Sequence, residues 1–236
     1  MSMKRSCGLS ADAIKLIAVI AMTADHIAWC VAPGYDTRLW VMLLHIAGRI
    51  TAPVMWFFVA EGYCRTHNLR RYALRLFILS VISHFAYCFC FGRPFIPTGV
   101  LGQTSIAPGL LLGLAALYIN DSEKLSRWQK CALTALVFIL SIPADYSFAS
   151  PAAILLIGTS RNDPDRQLSR LFLCTVGFAV MYFFCFDRVY TAVQLFACLS
   201  IPLLSLYNGE RGGSRAVSRL FYLYYPLHLI VLGLLK

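Results

Sequence analysis

Ionisable side chains interrupt the first two apolar segments of the chain, residues 13–31 and 39–60. They are, in chain order, Lys15, Asp25, His26, His45 and Arg49, with Glu61 directly after the second segment. A charge at the centre of a bilayer costs at least about 2.5–3.5 kcal/mol, so a lipid-facing helix does not carry such groups. Residues of this kind lie inside the protein and mark a candidate functional site.

His26 suits proton transfer, because histidine has an ordinary pKa of about 6.5 and can take and return a proton near neutral pH. If the first two segments are antiparallel helices, their rise per residue brings His26, His45 and Arg49 to one depth. The Arg49 guanidinium can then stabilise an oxyanion while His26 acts as the base. A single intramembrane histidine is equally often a hydrogen-bonding residue between helices, and that alternative stays open.

Either of two carboxylates can orient the His26 imidazole. Asp25 is adjacent in sequence but about 100° round the helix from His26, and Asp145 is an equally plausible partner. His228 is the second choice for the base, because Pro226 frees backbone carbonyls within the last apolar segment and His228 follows two residues later.

Lys15 and His26 are predicted to share one face of the first helix. They are eleven residues apart, and eleven steps of about 100° return to nearly the same direction, some 16.5 Å along the axis. This alignment suits a long donor molecule with an anionic head at Lys15 and a reactive end at His26. Lys15 can equally extend its ammonium group to the membrane interface without binding a donor.

The composition predicts a membrane protein. Hydrophobic residues make up 59% of the 236-residue chain and charged residues 14%, whereas soluble domains average about 25% charged residues. The net charge of +10 comes from short basic clusters between apolar runs, which argues against nucleic-acid binding. The nine cysteines form no C-x-x-C pair, and the sequence predicts no metal site.

The apolar pattern predicts an all-α polytopic protein with about nine transmembrane segments in a single domain, 1–236. The segments are 13–31, 39–60, 72–91, 104–119, 131–142, 151–158, 171–186, 189–207 and 220–235. Two of them, 131–142 and 151–158, are shorter than the ~17–25 residues of a spanning helix, so they either cross or form a re-entrant pair. If the N-terminus is cytoplasmic and successive loops lie on alternate sides of the membrane, nearly all Lys and Arg fall on the inner side. This distribution predicts a multi-pass protein of the plasma (inner) membrane.

Ordered motifs over nearly the whole chain resemble the TraX-like family of integral membrane proteins. They are Lys15 with Met22–His26, Gly48–Pro53, Glu61–Tyr63, Arg71–Leu76, Asp145–Tyr146, Leu206–Gly209 and Phe221–His228. The founding member of that family is associated with N-terminal acetylation of pilin. The family also resembles the membrane acyltransferase superfamily, whose first helix carries Arg, ten residues and then His, where this chain has Lys15, ten residues and His26.

The resemblance implies an integral membrane acyltransferase that uses cytoplasmic acetyl-CoA as donor. The acceptor is then the N-terminal amine of a pilin-like protein or a surface glycan. The implied catalytic residues are His26, Asp25 and Arg49. Lys15, Arg71 and Arg75 are cations on the inner side of the predicted topology and are the expected contacts for the phosphates of coenzyme A, with Tyr207 and Asn208 at the same membrane face. The expected cavity or substrate residues are His45, Glu61, Asp145, Tyr146 and His228. The alternative from another class is a small membrane transporter or a non-catalytic accessory subunit.

Overall fold

The computed structural model describes residues 8–34, 36–185, 187–213 and 215–236, with side chains throughout except at 215–219. Within these ranges the chain is helical and contains no β-strand; two isolated β-bridges join Leu9 to Tyr207 and Thr104 to Ala144. The helices are α1 (Ala11–Val31), α2 (Leu39–Gly48), α3 (Thr51–Arg65), α4 (Leu69–Phe91), α5 (Ala107–Asp121), α6 (Arg127–Ser141), α7 (Ala149–Gly158), α8 (Pro164–Cys185), α9 (Arg188–Leu195), α10 (Ser200–Ser205) and α11 (Arg215–Leu235). A 3₁₀ turn, Phe196–Leu199, joins α9 to α10.

Local sequence explains several helix ends. The Ser10 side chain caps α1 by accepting a hydrogen bond from the Ala13 N–H, as serine does at N-cap positions. Ser126 and Gln129 form a reciprocal capping box, so α6 begins at Arg127, four residues before the apolar run 131–142. Gly92 ends α4 in the left-handed conformation, with φ of 63°, which glycine adopts without steric cost.

The predicted second segment, 39–60, is two helices and not one. Proline at position 53 has no N–H to donate to the carbonyl of Arg49, and its ring would collide with that carbonyl in a continuous helix. The chain therefore ends α2 at Gly48, turns at 49–50 and begins α3 at Thr51. The predicted segment 189–207 is also divided, into α9, the 3₁₀ turn and α10.

The chain divides into two compact units. The first unit comprises Met1–Met55 and Thr175–Lys236; in it α1 packs against α2 and α11, and α2 packs against α9. The second unit comprises Trp56–Cys174, and in it α5 packs against α4, α6 and α7. The prediction of a single domain stays a prediction.

Among the residues that the structure describes, five helical stretches are long and apolar enough to cross a membrane. They are Ala11–Val31, Leu39–Arg65, Leu69–Phe91, Pro164–Cys185 and Arg188–Ser205. Shorter apolar helices lie at Ala107–Asp121, Ala149–Gly158 and Leu220–Leu235. These lengths support an all-helical membrane protein, while the count of nine crossings and the cytoplasmic N-terminus stay predictions.

Candidate functional site

A buried ion pair between Asp25 of α1 and Arg49 forms the centre of the first unit. The Arg49 Nη2 atom lies 2.7 Å from Oδ1 and 2.8 Å from Oδ2 of Asp25. The same guanidinium donates through Nε to the His45 carbonyl at 3.1 Å and through Nη1 to the Gln194 side chain at 3.4 Å. Asp25 and Arg49 are only 7% and 9% exposed, and a buried charge pair of this kind is retained when its remaining hydrogen bonds are satisfied.

His45 completes this network from α2. Its Nδ1 atom lies 2.6 Å from Asp25 Oδ1, so Asp25 fixes the orientation of the ring. The rings of Trp29 and Tyr190 pack around it, with centroids at 4.7 and 5.5 Å. His45 is fully buried, and its Nε2 atom has no hydrogen-bond partner among the described residues.

Gly48 allows α1 and α2 to approach closely enough for these contacts. A Cβ atom at this position would lie 2.3 Å from Asp25 Cβ and 2.7 Å from Asp25 Cγ. These are the backbone-proximal atoms of a buried side chain that Arg49 and His45 already hold. Position 48 therefore requires glycine for a close approach rather than for an unusual backbone angle.

The connection between α1 and α2 is tied to α9. Tyr190 of α9 donates its hydroxyl to the Asp36 carbonyl at 2.7 Å. The Asp36 side chain accepts from the Arg38 side chain and backbone, both at 2.8 Å. The hydrogen bond from the Arg38 side chain, and to a smaller extent that from the Arg38 backbone, lowers the pKa of the Asp36 carboxyl below its usual range. Tyr190 thus contacts both this connection and the buried His45 ring.

A second polar array joins α1 to α11. Nδ1 of His26 lies 2.7 Å from Nε2 of His228, and Nδ1 of His228 lies 3.1 Å from the Tyr224 carbonyl. One turn away, the Thr23 hydroxyl donates to the Val19 carbonyl and meets the Tyr224 hydroxyl at 2.8 Å. His228 is buried, whereas His26 is half-buried and so is the more accessible of the two rings.

The structure gives the residues that the sequence grouped together different hydrogen-bond partners. Arg49 forms its ion pair with Asp25, and Nδ1 of His26 contacts His228; the role of Arg49 as an oxyanion stabiliser for His26 stays a prediction. The physical reason is the 100° step between residues 25 and 26, which points one side chain at α2 and the other at α11. The alternative partner, Asp145, accepts instead from the Tyr146 N–H at 3.0 Å in the second unit.

Three of the residues predicted to bind a donor lie on the first turns of α1 or on a segment bound to the residues just before it. Lys15 is half-buried and interacts electrostatically with Asp12 and Arg211. Asn208 donates its backbone N–H to the Leu9 carbonyl at 3.0 Å, and Tyr207 forms a β-bridge with Leu9. The segment around Tyr207 is thus fastened to the start of α1 within the first unit.

The other predicted site residues lie in the second unit. Arg71 and Arg75 are exposed on α4, and the Arg75 guanidinium lies 5.6 Å from the centre of the Tyr72 ring. Glu61 pairs with Arg65 one turn along α3, at 2.6 Å. These contacts are of the kind that surface cations and helical i,i+4 pairs make.

A strained turn precedes α7. Tyr146 and Ser147 are consecutive non-glycine residues with φ of 61° and 47°, a conformation that costs energy and often marks functional turns. The Tyr146 ring packs edge-on against Trp56 at 5.5 Å, and Trp56 donates to the Ser150 hydroxyl at 2.8 Å. The motif that the sequence identified at Asp145–Tyr146 is therefore an ordered turn of the second unit.

Several contacting residues were not among the predicted site residues. Gln194, Tyr190 and Tyr224 all take part in the two arrays of the first unit. Gln194 had a usable signal, because an amide inside the apolar run 189–207 must hydrogen-bond within the protein. In the second unit, a cavity of about 330 Å³ is lined by Tyr63, Cys64, Thr66, Leu69 and Arg161, none of which is among the predicted site residues. The described residues contain no cluster suited to a metal ion.

Comparison with known proteins matches the chain to the model of one family, described as TraX protein, over residues 10–236. A curated relative from Dichelobacter nodosus, named probable fimbrial assembly protein FimC, serogroup H1, is 29% identical over 242 residues. That alignment covers 98% of this chain and 97% of the relative. No solved structure matches. Since the family match extends over almost the entire chain, including α1, α2 and α11, the protein belongs to the TraX family.

Proposed function

We propose that the protein is a multi-pass acetyltransferase that moves an acetyl group from cytoplasmic acetyl-CoA to an acceptor at the outer face of the inner membrane. The observation that carries this proposal is the hydrogen bond of 2.7 Å between His26 and His228. It holds a half-buried imidazole inside an apolar helix, next to a buried and fully paired carboxylate. Such an imidazole remains neutral and able to accept a proton.

In the proposed reaction, an amine or hydroxyl of the acceptor attacks the thioester carbonyl while His26 takes its proton. The tetrahedral centre then collapses, the carbon–sulfur bond breaks, and the thiolate of coenzyme A recovers the proton from His26. The acetyl group ends on the acceptor, and no oxidant or metal is required. The apolar surroundings exclude bulk water, which would otherwise compete as the acceptor.

The ion pair with Asp25 changes the role that we propose for Arg49. An oxyanion stabiliser needs donors directed at the reacting carbonyl, but the guanidinium donates to Asp25, the His45 carbonyl and Gln194. We therefore assign Arg49 and Asp25 to holding α1 against α2, so that His26 is presented in a fixed position. Lys15, on the helix that follows the contact of Leu9 with Tyr207 and Asn208, is the proposed phosphate contact within this unit. Arg71 and Arg75 remain further predicted contacts.

The family and the relative support the choice of acceptor. The relative is named as a fimbrial assembly protein, and fimbriae are built of pilin-like subunits, so the N-terminal amine of such a subunit is the first acceptor to test. A surface glycan is the second. The same name also fits a non-catalytic assembly subunit, which is the alternative function.

The test is transfer of radiolabelled acetyl from acetyl-CoA by purified protein in nanodiscs, with a pilin-like peptide or membrane glycan as acceptor. Mass spectrometry of surface material from cells with and without the protein should show a matching acetyl-sized difference. His26→Ala should abolish transfer, while His67→Ala, which changes an exposed loop histidine, should not. Unchanged surface material together with no turnover in vitro would support the assembly subunit instead.

A further inference from the structure

The two imidazoles that join α1 to α11 lie side by side in nearly one plane. The His26 and His228 rings are inclined by only 3°, with centroids 5.0 Å apart, while Nδ1 of His26 and Nε2 of His228 are 2.7 Å apart. Rings stacked face to face at that centroid separation could not bring two nitrogens so close. The contact is an in-plane hydrogen bond, because both the N–H bond and the lone pair of an imidazole lie in the ring plane.

The Tyr224 carbonyl determines which nitrogen of His228 carries the proton. A carbonyl oxygen only accepts, so the 3.1 Å contact requires a proton on Nδ1 of His228. A neutral imidazole holds one proton, and Nε2 of His228 is therefore an acceptor. The short contact with His26 then requires a proton on Nδ1 of His26. The remaining nitrogen of neutral His26, Nε2, carries a lone pair.

We infer that His228 is a positioning residue which fixes the tautomer of His26 and so makes Nε2 of His26 the basic atom. The relay is Tyr224 carbonyl, His228 and His26, and it performs for a histidine pair what a carboxylate performs in a Ser-His-Asp triad. In this arrangement His228 does not touch the substrate. The catalytic role of the lone pair on Nε2 of His26 rests on the proposed function. The tautomer of His26 does not, because it is a property of the resting protein.

The rest of α11 supports this role for His228. The Thr23 hydroxyl donates to the Val19 carbonyl, so its oxygen accepts from the Tyr224 hydroxyl at 2.8 Å. The Tyr224 ring lies nearly parallel to His228, with centroids 5.3 Å apart. Tyr224 is thus anchored to α1 through its side chain while its carbonyl orients His228. Tyr224, which begins the relay, is therefore attached to α1, the helix that carries His26.

Two substitutions at position 228 separate positioning from packing. A glutamine amide extends to about the place of Nε2 and offers His26 an acceptor oxygen, so His228→Gln should preserve the tautomer. An asparagine amide extends only to about the place of Nδ1; His228→Asn can still donate to the Tyr224 carbonyl but leaves His26 Nδ1–H without its acceptor. The two variants are polar and similar in size, which makes them a matched pair.

The readout is the ¹⁵N spectrum of ring-labelled histidine in the full-length protein at alkaline pH, with the His26 signals assigned by their loss in His26→Ala. Wild type and His228→Gln should show a protonated Nδ1 and an unprotonated Nε2 at His26. His228→Asn should show the other tautomer or a mixture. Transfer should be within about tenfold of wild type in His228→Gln and fall by about a hundredfold or more in His228→Asn, the range of general-base catalysis.

A wild-type spectrum with the proton on Nε2 of His26 would overturn the inference, and this holds even if neither variant folds. So would an unchanged His26 tautomer in folded His228→Asn. If the predicted tautomers are found but no acetyl transfer occurs in any protein, the relay stands and the proposed function fails.

Discussion

Arg49 binds both carboxylate oxygens of Asp25 through one nitrogen, at 2.7 and 2.8 Å, in the interior of the first unit. Removing one member of such a pair leaves the other charge buried and uncompensated, which costs about 3–5 kcal/mol. The pair joins α1 to the end of α2, so this energy bears directly on the fold of the site.

We predict that Asp25→Asn and Arg49→Met each destabilise the protein by about 3–5 kcal/mol, because each leaves an unpaired buried charge or donor. Thermal unfolding in detergent, followed by tryptophan fluorescence, measures the loss. The double variant should be less destabilised than the sum of the two single variants. Strict additivity would mean that the two side chains do not interact.

Gly48→Ala should destabilise the protein by about 1–3 kcal/mol through overpacking, since its Cβ would overlap Asp25. The matched control is Gly177→Ala, where a Cβ meets nothing within 4 Å; replacing a helical glycine there should be neutral or stabilising. Melting temperatures of the two variants decide. Equal shifts would show that α1 and α2 are farther apart at Gly48 than described.

Removing the Lys15 ammonium should weaken coenzyme A binding by about 1.5–3 kcal/mol, the value of a hydrogen bond to a charged group. Isothermal titration calorimetry with Lys15→Ala measures this change. Lys124→Ala, in an exposed loop, is the control and should bind like wild type. Equal affinities of wild type, Lys15→Ala and Lys124→Ala for coenzyme A would show that Lys15 does not bind the donor. If folded wild type did not bind coenzyme A at all, the proposed acetyltransferase activity would be contradicted.

The nine-segment topology predicts that residues 148 and 123 face opposite sides of the membrane. Both positions are exposed, whereas Ser147 is buried with a positive φ and is unsuitable for labelling. A membrane-impermeant maleimide added to intact cells should label Phe148→Cys and leave Glu123→Cys unlabelled, in a background without native cysteines. Labelling of both from one side would contradict the nine crossings.

The sequence was sufficient for the helical membrane class and for most helix positions, because apolar runs and capping residues act locally. The predicted segment 13–31, for example, lies within α1, which the structure places at Ala11–Val31. The break at Arg49 was missed, although Pro53 is visible in the sequence, because the apolar run continues through it. Hydropathy does not report a missing backbone donor.

The sequence identified the residues of the candidate site better than it identified which of them contact each other. Asp25, His26, His45, Arg49 and His228 were all singled out, because ionisable groups inside apolar helices are conspicuous. Their partners depend on which helices pack side by side, and spacing along one helix does not contain that information. The contact of α11 with α1, which brings His228 to His26, joins the two ends of the chain.

The end of α2 at Gly48 gives Pro53 an electrostatic role, although its ring carries no charge. The aligned peptides of a helix leave about half a negative charge at its carboxyl end. Because α2 stops there, that charge lies beside Arg49, whose Nε and backbone N–H both bind the His45 carbonyl. A proline that interrupts the helix four residues later thus places a negative helix end beside a buried guanidinium, and replacing it by alanine would favour a continuous helix and move that negative end away.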